Sequence, residues 1–169
     1  MYIKNEIARL DNELETLLET WQEKQKALLN TIPCLGKRAV SYLISYTDGF
    51  TKIKNHRQLI ALAGLAPREY SSGTSVSGKK WICKMGNSNL RKILVMCSLT
   101  AMRYNKGCKE LYTRLKQNGK PSKVALIAVC NKLLKQAFAI ATRGIPYNKD
   151  HKSVLVTKAT GDGRPVHIL

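Results

Sequence analysis

The sequence predicts a mostly α-helical protein. Apolar residues recur at helical spacing in several stretches, and asparagine or glycine residues stand where those stretches begin and end. Hydrophobic residues make up 44% of the 169 residues, which is enough to bury a core. We expect a long coiled-coil-like helix in residues 1–30, a helical domain in residues 31–147 and an irregular tail in residues 148–169.

The first helix is predicted to run without a break over residues 3–29. Such a heptad seam suits a coiled coil with a partner helix, and it equally suits one amphipathic helix lying on its own domain. The coiled-coil interpretation predicts a homo-oligomer formed through residues 3–29. The seam residues follow at alternating steps of four and three, interrupted only by Lys24: Ile3, Ile7, Leu10, Leu14, Leu17, Trp21 and Leu28.

Two shorter helices are predicted next, at about residues 36–46 and 55–63. Asn55 can cap the second of these helices and Gly64 can end it. The segment that follows, residues 65–87, is rich in serine and glycine. We therefore expect a loop there, with room for a short hairpin.

Three further helices are predicted at about residues 87–104, 109–116 and 122–143. Asn87 caps the first of them, and Gly144 ends the last. The residues expected to face the core are Leu90, Leu94, Cys97 and Ala101 in the first helix, and Ile127, Cys130, Leu134, Ala137 and Ala141 in the last.

The charge of the chain indicates a polyanionic partner. Lysine and arginine total 29 against 11 acids, for a formal net charge of +18, and between Tyr70 and Lys149 the only acid is Glu110. Such a field attracts nucleic acid or an anionic membrane surface. We recognise no signal peptide, and no apolar run approaches the ~20 residues that a membrane span requires. These observations favour a nucleic-acid-binding protein of the cytoplasm, associated with the nucleoid, with no membrane partner.

Neither the cysteines nor the acids follow a pattern typical of a metal site. The five cysteines include no C-x-x-C pair, and reduced thiols of a cytosolic protein account for them. Metal-dependent nucleases need several converging carboxylates. We therefore expect neither a metal nor another cofactor in this chain, so that strand chemistry would need a side-chain nucleophile or a metal held elsewhere. The acids beyond residue 30 are widely separated: Asp48, Glu69, Glu110, Asp150 and Asp162.

Residues 31–39, from Thr31 to Ala39, resemble the hairpin of a helix-hairpin-helix element. In such a hairpin the free N–H groups at a helix start point at a DNA phosphate, and Lys37 and Arg38 would add positive charge. Cys34 departs from the pattern, because the first hairpin glycine usually stands there. The alternative is an ordinary helical hairpin.

The segment that includes Ser71, Ser72, Gly73 and Thr74 places hydroxyl groups beside a glycine, with basic residues following. Glycine lets a phosphodiester approach the backbone closely, and bases can stabilise charge that develops on a phosphoryl group. A serine there can attack phosphorus and hold the strand as a phosphoserine ester. From this chemistry alone, a plain surface loop is the commoner outcome.

Several short motifs occur in order between Ile32 and Tyr147. They are Ile32-Pro33, Leu35-Gly36-Lys37, His56-Arg57-Gln58-Leu59, Ala63-Gly64-Leu65-Ala66-Pro67-Arg68, Tyr70, Ser72-Gly73, Lys84-Met85-Gly86-Asn87, Leu90-Arg91-Lys92 and Gly144-Ile145-Pro146-Tyr147. In this order and spacing they resemble the C-terminal domain of the DEDD insertion-sequence transposases, also called bridge-RNA-guided recombinases. The resemblance covers roughly two-thirds of the chain.

The resemblance implies a division of labour. In the family, an N-terminal domain binds Mg²⁺ through four carboxylates, and a coiled-coil connector leads to a domain that supplies a serine nucleophile. That serine directly precedes the motif's glycine and so maps onto Ser72. The resemblance implies that this serine joins a DNA strand while a structured guide RNA pairs with donor and target DNA. Because Met1 falls inside the coiled-coil region, we expect a truncated product or an excised fragment that lacks the Mg²⁺ domain and does not act alone.

The predicted site therefore has Ser72 as nucleophile and Gly73 for close approach. The predicted phosphate or RNA contacts, each of which could instead be a solvated charge, are Lys37, Arg38, Arg68, Lys79, Lys80, Lys84, Arg91 and Lys92. One alternative is a non-catalytic helix-hairpin-helix module that binds DNA or RNA. Another places catalysis on Tyr70, with Arg68 near it in sequence.

Overall fold

The computed structural model describes residues 2–68, 71–72, 76–77 and 81–149. The helices are α1 (Tyr2–Trp21), α2 (Glu23–Asn30), α3 (Lys37–Thr47), α4 (His56–Leu62), α5 (Ser88–Tyr104), α6 (Lys106–Gln117) and α7 (Ser122–Arg143). The strands are β1 (Pro67–Arg68), β2 (Ser71–Ser72), β3 (Val76–Ser77) and β4 (Trp81–Ile82). The predicted mostly α-helical fold is confirmed.

The prediction of one unbroken helix over residues 3–29 is wrong. Gln22 has φ −140° and ψ 38°, outside helical geometry, and separates α1 from α2. Eleven residues of continuous helix would place Glu15 about 16 Å from Lys26 along the axis. Instead, the Lys26 ammonium lies 3.6 Å from the Glu15 carboxylate. The chain folds back at Gln22, which brings α1 against α2 and α3.

The apolar seam of α1 is only partly used by the domain. Leu14 packs against the core and is half-buried. Ile3, Ile7 and Leu10 are exposed by 72%, 41% and 52%, so within the described part of the chain this end of the seam stays open to solvent. The side chain of Trp21 lies outside the described residues.

Helices α3 and α4 end and begin where the sequence indicates. Asp48 follows α3 in a left-handed conformation with φ 52°. The Asn55 side chain accepts a hydrogen bond from the N–H of Gln58 at 3.0 Å, which caps α4. Gly64 lies just beyond α4 with φ 66°, a conformation that favours glycine. These boundaries confirm the predictions from Asn55 and Gly64.

The last three helices also follow the local signals. Asn87 accepts a hydrogen bond from the Leu90 N–H at 3.0 Å and caps α5. α7 has the predicted bounds and ends at Gly144, where φ is 66°. α6 begins at Lys106 rather than at residue 109, because Asn105 accepts a hydrogen bond from the Cys108 N–H and caps the helix earlier than predicted.

The core lies between α7 and the helices α2, α4, α5 and α6 that contact it, and it extends to α3, which contacts α2 and α5. Burying one leucine side chain stabilises a fold by roughly 2 kcal/mol. Leucines that are at most 1% exposed fill this space: Leu29, Leu43, Leu59, Leu65, Leu90, Leu94, Leu133 and Leu134. Of the predicted core residues, Cys97, Ile127 and Ala141 are half-buried, and the others are buried.

By length and composition α7 could cross a membrane, although three lysines interrupt its apolar residues. It is the only such helix within the described residues. Its buried residues, among them Val129, Leu133 and Ala137, belong to the core, and four other helices contact it. Its apolar character is thus that of a core helix.

A polar network fastens the end of the described chain to the domain. Asn105 is fully buried, donates to the Gln136 side-chain oxygen at 3.2 Å, and accepts from the Tyr147 hydroxyl at 3.2 Å. The backbone N–H of Tyr147 donates to the Thr31 hydroxyl at 2.9 Å. Residues 144–147 therefore return to the turn between α2 and α3, which gives their motif a structural role.

Candidate nucleic-acid interface

The serine- and glycine-rich segment carries two short antiparallel ladders. β1 pairs with β4, with Arg68 opposite Trp81. β2 pairs with β3, with Ser71 opposite Ser77 and Ser72 opposite Val76. The second ladder is nested within the first, so the described residues between 67 and 82 form one arm, and strand pairing inside the predicted loop is confirmed.

The arm is fixed at its base to α4 and α5. The base comprises residues 64–66 and 83–87. Its backbone hydrogen bonds run from Cys83 N–H to the Ala66 carbonyl (2.8 Å), from Lys84 N–H to the Gly64 carbonyl (3.1 Å) and from Asn87 N–H to the Leu62 carbonyl (2.7 Å). Both ends of the arm are therefore held to the helical domain.

Two glycines let the two backbone segments of the arm base approach each other. A Cβ atom on Gly86 would lie 2.2 Å from the Gly64 nitrogen and 2.2 Å from the Leu62 carbonyl oxygen. Both neighbours are backbone atoms, which cannot swing aside as a flexible side chain can. The motifs around Gly64 and Gly86 thus meet in space as the base of the arm.

We expect Gly86→Ala to destabilise the protein by about 1–3 kcal/mol, the usual cost of overpacking, because backbone must shift to admit the new methyl group. The free energy of unfolding in urea measures the effect. The matched control is Gly36→Ala, since a Cβ at Gly36 has nothing within 4 Å. Equal losses for the two variants would contradict the close approach.

Arg91 has a structural role at the same place. Its guanidinium Nη1 donates to the Ala63 carbonyl at 3.1 Å and to the Lys84 carbonyl at 3.4 Å. Lys84 has φ 56°, and these bonds help to hold it in that left-handed conformation. Arg91 thus ties the two sides of the arm base together, and its predicted contact with nucleic acid stays a prediction.

The other predicted site residues fall into three sets. Arg68, Lys84 and Lys92 are exposed at or beside the arm base. The strand position of Ser72 is described, whereas Gly73, Lys79 and Lys80 lie outside the described residues. Lys37 and Arg38 lie elsewhere, at the start of α3.

The turn between α2 and α3 has the compactness of a hairpin. The Ile32 N–H donates to the Leu29 carbonyl at 3.1 Å, and the Leu35 N–H donates to the Ile32 carbonyl at 3.3 Å. Cys34 has φ 73°, a left-handed conformation unusual for a non-glycine residue. Gly36 precedes α3, and no side chain caps that helix start.

The bases at the start of α3 face acids of α1. Arg38 Nε lies 3.4 Å from the Asp11 carboxylate, and Lys37 Nζ lies 3.4 Å from the Glu15 carboxylate. Sequence reasoning missed these pairs, because it placed α1 and α2 in one straight helix. Heptad spacing does not predict a salt bridge between two residues eleven positions apart, such as Glu15 and Lys26.

The cysteine thiols are free. Burial raises the pKa of Cys108 to about 12 and that of Cys130 to about 11. Burial also raises the pKa of Cys34 and of Cys97. A thiol attacks as its thiolate, so these four groups are poor nucleophiles at neutral pH.

His56 also has a packing role. Its ring lies 6.5 Å from that of Phe138 in an edge-on arrangement. Burial lowers the pKa of His56, and the neighbouring Lys135 and Arg57 lower it further. The lowered pKa favours the neutral form of His56, which sits in an electropositive environment. Among the described residues, no group of three or more histidine, cysteine or acidic side chains is arranged to hold a metal ion.

Comparison with known proteins identifies the family. The sequence profile of the transposase IS116/IS110/IS902 family matches residues 26–113, more than half of the chain. The chain belongs to this transposase family. The matched region begins in α2, ends in α6 and includes the whole arm.

Individual relatives of this chain carry names that refer to DNA rearrangement. The pilin gene-inverting proteins of Moraxella lacunata and Moraxella bovis are each 30% identical over 147 residues, which is 85% of this chain and 45% of the relative. The transposase for insertion sequence element IS1328 of Yersinia enterocolitica is 30% identical over 151 residues, covering 88% and 44%. The chain thus spans less than half the length of these relatives.

Proposed function

We propose that this chain is the nucleic-acid-binding, serine-bearing part of a transposase that acts in DNA transposition or recombination. The observation that carries the proposal is the family match, because it contains the entire arm and its base. The net charge of +18 supports a polyanionic partner. The proposed place of action is the bacterial nucleoid, in the cytoplasm.

The proposed nucleic-acid surface is centred on the arm base. Arg68, Lys84 and Lys92 are exposed there, and Glu110 is the only acid between Tyr70 and Lys149. Glu69, next to Arg68, is therefore the one acid close in sequence to these three bases. Phosphate contacts of this kind supply affinity and position, whereas sequence is read at base edges.

The proposed reaction assigns Ser72 as the nucleophile. Its hydroxyl oxygen would form a bond to phosphorus, the bond from phosphorus to a deoxyribose oxygen would break, and that oxygen would leave with a proton. The backbone hydrogen bonds at the arm base support this role by holding both ends of the arm to the helical domain. Activation is assigned to a separate Mg²⁺-binding carboxylate domain of DEDD type, since Glu69 is the only acid near Ser72 in sequence.

Two finer parts of the proposal concern the hairpin and RNA. The compact turn at Cys34 and the uncapped start of α3 support a helix-hairpin-helix element that offers backbone N–H groups to phosphate. A structured guide RNA is the second proposed ligand of the basic surface. A non-catalytic binding module is the alternative function, since the net charge of +18 supports nucleic-acid binding with or without catalysis.

Charge reversal at the arm base tests the proposed surface. We expect Lys84→Glu with Lys92→Glu to weaken binding to a labelled DNA duplex by about tenfold or more, because phosphate contacts dominate affinity. Fluorescence anisotropy measures the dissociation constant. The matched control, Lys4→Glu with Lys24→Glu, makes the same charge change at exposed sites on α1 and α2. If both double substitutions weakened DNA binding equally, the binding surface would not be centred on the arm base.

We also propose that α1 supports a homo-oligomer through its open apolar residues. Ile3 and Leu10 are 72% and 52% exposed, so Ile3→Lys with Leu10→Lys should shift the protein toward monomer without disturbing the core. Sedimentation velocity measures the change. Asn12→Lys is the control, since Asn12 is exposed off the seam. A wild-type protein that is monomeric at high concentration would refute this interface.

A further inference from the structure

The acidic face of α1 lies against the basic start of α3. Asp11 and Glu15 approach Arg38 and Lys37, each at 3.4 Å, across the two helices. A cleft of about 160 Å³ lies between the helices, and these four side chains line it together with Leu14 and Ser41. Carboxylates therefore occupy the surroundings of the two bases that the hairpin would offer to phosphate.

Two contacts hold α1 in this position. Lys26 is only 8% exposed, and its ammonium lies 3.6 Å from the Glu15 carboxylate and 3.3 Å from the Glu15 backbone carbonyl. Leu14, one residue earlier, packs against the core. The middle of α1 is thereby docked, with Asp11 one helical turn before the docked residues.

The pairs with α3 are exposed and therefore weak. The side chain of Lys37 is 77% exposed and that of Arg38 is 53% exposed. Ion pairs in such surroundings are screened by solvent and salt and contribute little stability. A phosphate that offers these bases charge-assisted hydrogen bonds can replace the carboxylates, whereas an approaching phosphate is repelled while they stay in place.

We propose that Asp11 and Glu15 of α1 compete internally with nucleic-acid phosphate for Lys37 and Arg38, so that the hairpin binds a backbone only when these carboxylates give way. This inference rests on the proposed nucleic-acid binding. It gives α1 a regulatory role, because any event that moves α1, such as assembly through its apolar seam, uncovers a phosphate contact at α3.

The same helix supplies a matched control. Glu6 and Glu13 flank Arg9, whose guanidinium lies 2.6 Å and 3.0 Å from their carboxylates. These pairs stay within α1. Neutralising Glu6 and Glu13 changes the net charge by as much as neutralising Asp11 and Glu15, so a comparison of the two double variants separates local competition from the field of the whole protein.

The experiment measures binding of the full chain to a labelled 20-base-pair DNA duplex over a range of salt concentrations. Asp11→Asn with Glu15→Gln should tighten binding by about threefold to tenfold, as expected for the release of two exposed ion pairs. The slope of log affinity against log salt should steepen by about 1.8, the equivalent of two added phosphate contacts. Glu6→Gln with Glu13→Gln should change affinity by less than about twofold and leave the slope unchanged.

Removing the bases completes the test. Lys37→Gln with Arg38→Gln should abolish the gain in the Asp11→Asn, Glu15→Gln background and have a smaller effect in the wild type. Since Glu15 also contacts Lys26, Asp11→Asn alone, compared with Glu13→Gln alone, serves if the double variant fails to fold. The proposed competition would be wrong if neutralising Asp11 and Glu15 raised the affinity no more than neutralising Glu6 and Glu13. It would also be wrong if removing the two bases weakened binding equally in the wild type and in the Asp11→Asn, Glu15→Gln background. Either result would leave the proposed DNA binding intact. An absence of binding by every variant would overturn the proposed function itself.

Discussion

Ser72→Ala should abolish the covalent protein–DNA adduct once the chain is joined to the N-terminal portion of a longer relative and supplied with DNA, guide RNA and Mg²⁺. Alanine has no oxygen to bond to phosphorus, and removing a nucleophile of this kind typically lowers turnover by at least about 10³-fold. Denaturing gel electrophoresis with end-labelled DNA measures the adduct. The chain by itself should form none, because the carboxylates proposed to activate the serine belong to a separate domain.

The neighbouring hydroxyls provide the controls for this prediction. Ser71→Ala should largely spare the adduct, and both serine variants should bind DNA like the wild type, since a hydroxyl adds no charge to the surface. An adduct that survives Ser72→Ala and disappears with Tyr70→Phe would transfer the nucleophile to Tyr70. Loss with Ser71→Ala alone would show that the motif had been mapped one residue off.

DNA binding by the isolated chain should fall by about 10³ between 50 and 200 mM salt. The estimate assumes six neutralised phosphates and a slope of about −0.9 per phosphate, which follows from release of condensed counterions. The stretch from residue 70 to residue 149, with Glu110 as its only acid, supplies the required charge. Anisotropy titrations at several salt concentrations give the slope directly.

The contribution of one base can be read from the same titrations. Lys92→Gln should lower the slope by about 0.9 if Lys92 contacts one phosphate. Asn12→Gln, a neutral change on α1, should leave the slope unchanged. Tight binding that does not depend on salt would contradict an electrostatic surface and would favour recognition through base or apolar contacts.

Local signals in the sequence were sufficient for most helix boundaries. Asn55 and Asn87 each accept a backbone hydrogen bond at the start of a helix, and Gly144 ends α7 with a positive φ. A cap depends on residues within one turn, so it can be predicted from the sequence alone. α6 begins before the predicted residue 109, because Asn105 caps the helix.

Long-range contacts were beyond the same reasoning. The heptad row continues past Gln22 with a single interruption at Lys24, yet the helix breaks at Gln22, so that Glu15 contacts Lys26 and Asp11 contacts Arg38. The spacing of apolar residues along one helix does not show whether the chain folds back on itself. The fold-back also decides the surroundings of Arg38, which sequence reasoning had left open to solvent or phosphate.

The candidate site was predictable in part. Charge pattern and resemblance together singled out Arg68, Lys84 and Arg91, and the structure brings them to the start and base of one arm. Charge alone could not show that Arg91 would use its guanidinium to hold two backbone carbonyls. The role of Ser72 comes from the resemblance and stays a prediction.

Mass-spectrometric mapping of the trapped adduct tests the central claim most directly. Trypsin cleaves after Arg68 and Lys79, so residues 69–79 are released as one peptide that contains Tyr70, Ser71 and Ser72. After nuclease digestion of the bound DNA, fragment ions locate the remaining nucleotide within that peptide. The account predicts a nucleotide phosphate on the Ser72 oxygen. A nucleotide on Tyr70, or on a peptide from another part of the chain, would contradict it.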